Sequence, residues 1–138
     1  MRIMGVDYGD ARIGIALSDP LGLTAQGYDV LDARRTKDVP ARIAEMVRDL
    51  GVARIVVGYP LNMNGTAGAR ALQTAEFAET LRAAAGVPVD LMDERLSTVS
   101  AERMLIAGDV SRRRRRLVVD KVAAALILQT YLDGGRRG

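Results

Sequence analysis

A chain of 138 residues, 49% hydrophobic and 27% charged, is long enough to bury a core and is expected to form one domain, residues 1–138. It contains neither Cys nor His, which excludes thiol nucleophiles, Ser–His pairs, His general bases and the usual zinc sites. Twenty Lys and Arg against 17 Asp and Glu leave a net charge of +3, too modest by itself to name a partner. Any metal would be a hard cation held by carboxylate oxygens. No apolar run approaches the roughly 20 residues of a membrane helix. Asp7 also falls too early for a secretory leader, so a cytoplasmic location with no membrane partner is expected.

The predicted elements begin with three strands, 2–8, 12–18 and 24–31, separated by short turns and read as an antiparallel meander. A helix follows, with Val39, Ile43, Met46, Val47 and Leu50 on one stripe, Asp38 as N-cap and Gly51 as stop. The continuously apolar "ARIVVGYP" predicts a strand buried on both faces. A helix over about 69–85 comes next, with Ala71, Ala75, Ala78, Leu81 and Ala85 on one side, then a strand at 87–94. Helices at 97–108 and 117–132 complete the order, and the tail, about 133–138, is expected to fray. A meander followed by βαβ units predicts an α/β fold, a mixed sheet with helices on both faces.

Three acidic points stand out. Asp7 ends the first strand, with Gly5 and Gly9 on its own face removing side chains that would crowd a ligand. Arg12, across the turn, could pair with Asp7 or with a phosphate. A lone strand-ending Asp is ordinarily a turn acceptor, but the glycines on both sides of Asp7 weaken that reading. Asp93 and Glu94 end the last strand, where ligands gather in open α/β sheets. Strand parity sends them to opposite faces and leaves open which one faces a site. Asp120 shares the stripe of Ala124, Ile127, Leu128 and Tyr131 on the last helix. A carboxylate there is costly to bury unless it is paired or binds a metal. Lying in or near the first turn, Asp120 could instead be favoured by the helix dipole. If the first strand is central, the three acidic points can converge, and without His or Cys they suit one or two Mg²⁺ or Mn²⁺ ions.

Taken together, "GVDYGDARIGIALSDPLG", "IVVGYPLNMNGTAGAR", "DERLST" and "VDKVAAALILQTYL" resemble the YqgF/RuvX family, candidate pre-16S rRNA nucleases and Holliday-junction-resolvase-like proteins of the RNase H-like fold. The resemblance spans nearly the whole chain. It implies a five-stranded mixed sheet in order 3-2-1-4-5, with Asp7, Glu94 and Asp120 as the catalytic, metal-binding set, and it favours Glu94 over Asp93. It further implies an endonuclease acting on structured RNA such as precursor rRNA, or on branched DNA. A homodimer is inferred from junction-resolving relatives, whose two sites cut paired strands.

Asn62, Arg70, Arg95 and Thr98 match family motifs and could contact phosphate or sugar, although loop hydrogen bonds, surface charge or helix capping would also explain them. The run Arg112, Arg113, Arg114, Arg115 and Arg116 reads as a dense basic loop. Such a loop could be merely solvated; opposite an acidic site it would hold a phosphate backbone that carboxylates alone repel. Two other classes compete: a non-catalytic RNA-binding module, and an actin-like or sugar-kinase-type phosphate site, for which 138 residues leave no second domain.

Overall fold

The computed structural model describes residues 1–96 and 112–135; the helix expected at 97–108, and Thr98 with it, lies outside them. Strands β1 (Arg2–Tyr8), β2 (Arg12–Ser18) and β3 (Ala25–Asp32) lead into helix α1 (Val39–Leu50). Strand β4 (Val52–Tyr59), helix α2 (Ala69–Ala85) and strand β5 (Val89–Asp93) follow. After a 3₁₀ turn, Glu94–Leu96, the last described element is helix α3 (Arg112–Thr130), which runs into a π-helical turn at Tyr131–Gly135. The strands form one sheet in the order β3-β2-β1-β4-β5. The β1–β2 and β2–β3 pairs are antiparallel, whereas β1–β4 and β4–β5 are parallel. The first strand is therefore central, as the meander followed by βαβ crossovers requires.

Alternation along the strands divides the core in two. Met4, Val6, Ile13, Ile15, Ile55, Val57 and Val89 face α1 and α2, where they meet Ile43, Met46, Val47, Phe77, Ala78 and Leu81. The opposite face buries Ile3, Ala16, Val56 and Met92 against Ala123, Ala124, Ile127, Leu128 and Tyr131 of α3 and the turn after it. Helix α1 starts where Asp38 accepts from the Ala41 amide at 3.1 Å and ends at Gly51 in the left-handed region, φ 65°. Among the described residues, no helix is long and apolar enough to cross a membrane.

The face toward α3 is built from small residues, and this sets how close the helix comes. A Cβ on Gly5 would stand 2.7 Å from Leu128 Cβ and 2.9 Å from the Ala124 carbonyl oxygen. On Gly14 it would stand 2.2 Å from the Asp120 carbonyl oxygen, and on Gly27 2.9 Å from Lys121 Cβ. The expectation that Gly5 clears space for a ligand is thus corrected, whereas Gly9 does border the cleft described below. Gly5 makes room for α3, and Gly9 for its own tight turn, where a Cβ would meet the Arg12 carbonyl oxygen at 2.2 Å.

Two further expectations change at α3. The helix begins at Arg112, not at 117, so the arginine run is helix and not loop. Arginine is a good helix former, and that propensity prevails here over repulsion among like charges. Asp120 consequently lies more than two turns from the helix start, beyond the reach of the dipole that could have explained it there.

The β2–β3 connection depends on Asp19, whose carboxylate accepts from the amides of Leu21 (3.2 Å), Leu23 (2.7 Å) and Thr24 (2.8 Å). The Thr24 amide chiefly, with those of Leu23 and Leu21, holds this carboxyl below its ordinary value. A depressed carboxylate contributes its stability in full above the unfolded value, about 3.9, and loses it as pH falls through the lower folded value. An Asp19→Ala variant is therefore expected to be less stable than wild type in urea at pH 7. The gap should narrow as pH falls below the unfolded value and through the lower folded one, because the folded carboxylate is then protonated as well. An undiminished gap at low pH would mean that the turn is held by shape alone.

Candidate active site

Three elements bring acidic side chains to one place. Asp7 stands near the carboxyl end of β1, opposite Gly14 of β2. Glu94 follows β5 directly, and strand parity places it on the side of Met92, toward α3. Asp120 comes from α3 across Gly14, where the absence of a side chain lets the helix backbone settle on the sheet. The three line one cleft of about 330 Å³, together with Tyr8, Gly9, Gly58, Pro60 and Arg70. It opens at the carboxyl ends of the parallel strands β1 and β4, where open α/β sheets bind ligands.

Gly58 is part of this construction. A Cβ on it would stand 2.8 Å from Glu94 Oε1 and 2.5 Å from Ile127 Cδ1, so a side chain here would push the ends of both from their present places. The signal for this role in the sequence is faint: Gly58 follows Val56 on the α3 face at the end of a strand.

Asp93 takes a different place. Its carboxylate accepts from Arg95 through Nε, at 3.1 and 3.0 Å, and Nη2, at 2.7 Å. Arg95 chiefly, through that guanidinium and then its backbone amide, holds the Asp93 carboxyl below its ordinary value. Asp93 is thus engaged at the surface, while Glu94 lines the cleft.

The guanidinium groups are held by carboxylates as well. Arg12 Nε donates to Asp120 Oδ2 at 2.7 Å, an alternative to the pairing with Asp7 or a phosphate expected from the sequence. Arg70 donates to Asp10 Oδ1 at 2.6 Å and to the Tyr8 carbonyl oxygen, and its guanidinium lies 5.5 Å from the centre of the Tyr8 ring. Tyr8 also stacks on Phe77 at 4.1 Å, so Arg70 is fixed over an aromatic pair. The part of Asp10 in orienting Arg70 has no signal in the sequence, since the two residues are far apart in the chain.

Asn62 does not line the cleft. It organises its own loop, donating through Nδ2 to Thr66 Oγ1 at 3.0 Å and pairing its backbone with Thr66 and Gly65. Arg95 also lies off the lining, on Asp93. The expected contacts of the Arg112, Arg113, Arg114, Arg115 and Arg116 side chains and of Thr98 lie outside the described residues.

The carboxylate oxygens of Asp7, Glu94 and Asp120 have the chemistry of a hard-cation site, and nothing else in the cleft competes as a softer donor. Among the described residues, however, no three acidic side chains stand close enough together to hold an ion as placed. Asp120 already has a cation, Arg12, at its carboxylate.

Known proteins share this architecture and sequence. A family model described as RuvX, Holliday junction resolvase, matches residues 1–134. A protein of Syntrophomonas wolfei subsp. wolfei, named as a candidate pre-16S rRNA nuclease, is 54% identical over 138 residues, 100% of this chain and 98% of its own. One from Symbiobacterium thermophilum with the same name is 56% identical over 133 residues, 96% of this chain and 92% of its own. Among solved structures, T. thermophilus RuvC in complex with a Holliday junction substrate superposes with a TM-score of 0.60 at 17% identity, over 99% of this chain and 97% of that one. The fowlpox virus Holliday junction resolvase superposes with a TM-score of 0.56 at 12% identity, over 96% and 98% of the two chains. At such identities the likeness is one of fold: the mixed sheet in order 3-2-1-4-5, with helices on both faces, is RNase H-like.

Proposed function

Since the chain belongs to the RuvX family of Holliday junction resolvases, we propose that it is a metal-dependent endonuclease hydrolysing phosphodiester bonds in structured RNA such as precursor rRNA, or in branched DNA, in the cytoplasm. The observation that carries this reading is the convergence of Asp7, Glu94 and Asp120, from a strand, a turn and a helix, on one cleft that also contains Arg70. Three carboxylates gathered where the fold presents its ligand crevice favour a cation among them.

Asp7, Glu94 and Asp120 would hold Mg²⁺ or Mn²⁺ through their oxygens. When bound, such an ion supplies Lewis acidity toward the phosphodiester and makes a water more acidic. The protein's own part is to bind and orient the substrate. Arg70, fixed against Tyr8 and Asp10, offers a guanidinium at the cleft wall for a non-bridging phosphate oxygen. The arginine run, residues 112–116, belongs to the backbone of α3, and its five basic residues are the type that binds an anionic nucleic-acid backbone. Cutting both strands of a junction requires two such sites, and a homodimer would provide them.

The test is cleavage of two substrates, a precursor rRNA with its 5′ extension and a four-way DNA junction, each with Mg²⁺, Mn²⁺ or chelator. The expected result is strand cleavage of at least one substrate with metal and none in chelator. Full cleavage in chelator, or no cleavage of either substrate with both metals, would overturn the proposal. Turnover of ATP without nucleic acid would point to the kinase-type alternative.

A further inference from the structure

We propose that Arg12 is a latch on Asp120, standing in for the metal until a substrate phosphate draws the guanidinium away. The proposal rests on the reading of the cleft as a metal centre, and it makes Arg12 a positioning residue that couples nucleic-acid binding to metal binding.

The geometry separates the mobile partner from the fixed one. The Arg12 side chain is 34% exposed, whereas that of Asp120 is only 16% exposed and projects from a helix seated on Gly14. The Arg12 backbone is held as well, by its pairing with Asp32 and by the close approach of Gly9 to its carbonyl. Only the Arg12 side chain is placed to swing outward. Its present partner is one of the three carboxylates of the cleft, whereas Arg70, the other guanidinium donor beside them, is tied to Asp10 and to a backbone carbonyl. Of these two arginines, Arg12 therefore has the bond that a metal would have to displace.

The chemistry favours an exchange. A guanidinium at Asp120 neutralises one of three neighbouring carboxylates and lowers their mutual repulsion when no metal is bound. A phosphodiester gives the same guanidinium another anion, with two oxygens suited to its forked donors. Once Arg12 moves onto phosphate, the Asp120 carboxylate is released toward the metal. Linkage then requires that substrate tighten metal binding and metal tighten substrate binding by the same factor. A fixed structural ion pair would couple neither.

Isothermal titration with Mn²⁺, with and without a phosphorothioate-substituted four-way DNA junction, tests the latch without relying on activity. An Arg12→Gln variant is expected to bind Mn²⁺ about fivefold more tightly than wild type when no nucleic acid is present, at the low end of usual coupling factors. The factor by which the junction tightens Mn²⁺ should be smaller in the variant by about the same fivefold. Arg42→Gln removes a charge of the same sign from the surface of α1, on the other face of the sheet and outside the cleft lining, and its Mn²⁺ affinity should stay within about twofold of wild type. Should Arg12→Gln fail to fold, Arg12→Lys gives the same comparison with a weaker, unforked grip, and about twofold tighter Mn²⁺ binding is expected. Equal Mn²⁺ affinity in wild type and Arg12 variants, or equal tightening in Arg42→Gln, would overturn the latch and leave the metal centre standing. No Mn²⁺ binding by any of these proteins would overturn both.

Discussion

An Asp7→Asn variant is expected to fold and to bind nucleic acid, yet to lose about a thousandfold or more in cleavage rate. Asp7 lies on the central strand, and its carboxylate shares the cleft with those of Glu94, in the turn after β5, and Asp120 of α3. Asn preserves volume and one oxygen but removes the charge. Weakening the hold on a Lewis-acidic ion forfeits several kcal/mol of transition-state stabilisation, and each 1.4 kcal/mol or so is tenfold in rate. Single-turnover cleavage at saturating protein isolates this loss from any change in affinity. In chelator the variant should be at least as stable as wild type, because neutralising one of three clustered carboxylates relieves repulsion. Cleavage within about tenfold of wild type would remove Asp7 from the chemistry. A large loss of stability in chelator would make it a structural acceptor instead.

The second large effect is a matter of packing. Gly14→Ala is expected to destabilise the fold by about 3 kcal/mol or more, at the upper end of overpacking costs. The new methyl group would lie 2.2 Å from the Asp120 carbonyl oxygen and 2.8 Å from its carbon, both backbone atoms that no rotamer change can move. Relief requires α3 to lift from the sheet, which would also disturb Ala124 and Leu128, both fully buried. Because that helix carries Asp120, activity should fall even at temperatures where the variant remains folded. Urea denaturation and cleavage at low temperature measure the two effects separately. A variant within about 1 kcal/mol of wild type would show that the helix tolerates a wider gap.

The Asp7 and Gly14 variants test different levels of the same construction. The cleft depends on how closely α3 approaches the sheet, and that approach depends on glycines that carry no chemistry themselves. The latch adds a third level, since Arg12 starts β2 and meets Asp120 only because Gly14 lets the helix come down beside it.

Periodicity in the sequence was enough to determine the framework. The apolar segment 2–8, the alternation in 12–18, the Asp38 and Gly51 caps, and the apolar run at 53–60 follow from local physics, and each element stands within a residue or so of its expected place. The stripe that puts Asp120 beside Ala124, Ile127 and Leu128 was equally legible, because helical geometry alone defines a face. The start of that helix was not. Five consecutive arginines read as a loop when repulsion is weighed above propensity, and the sequence has no sharp stop between the run and the apolar stripe. Other features belonged to the tertiary structure alone. Parity showed which face Gly5 occupies but not that a helix crosses it, and no pattern pairs Arg12 with Asp120 or Arg70 with Asp10. Those contacts join residues 108 and 60 positions apart, so the sheet order and the depth of α3, which no local propensity encodes, decided them.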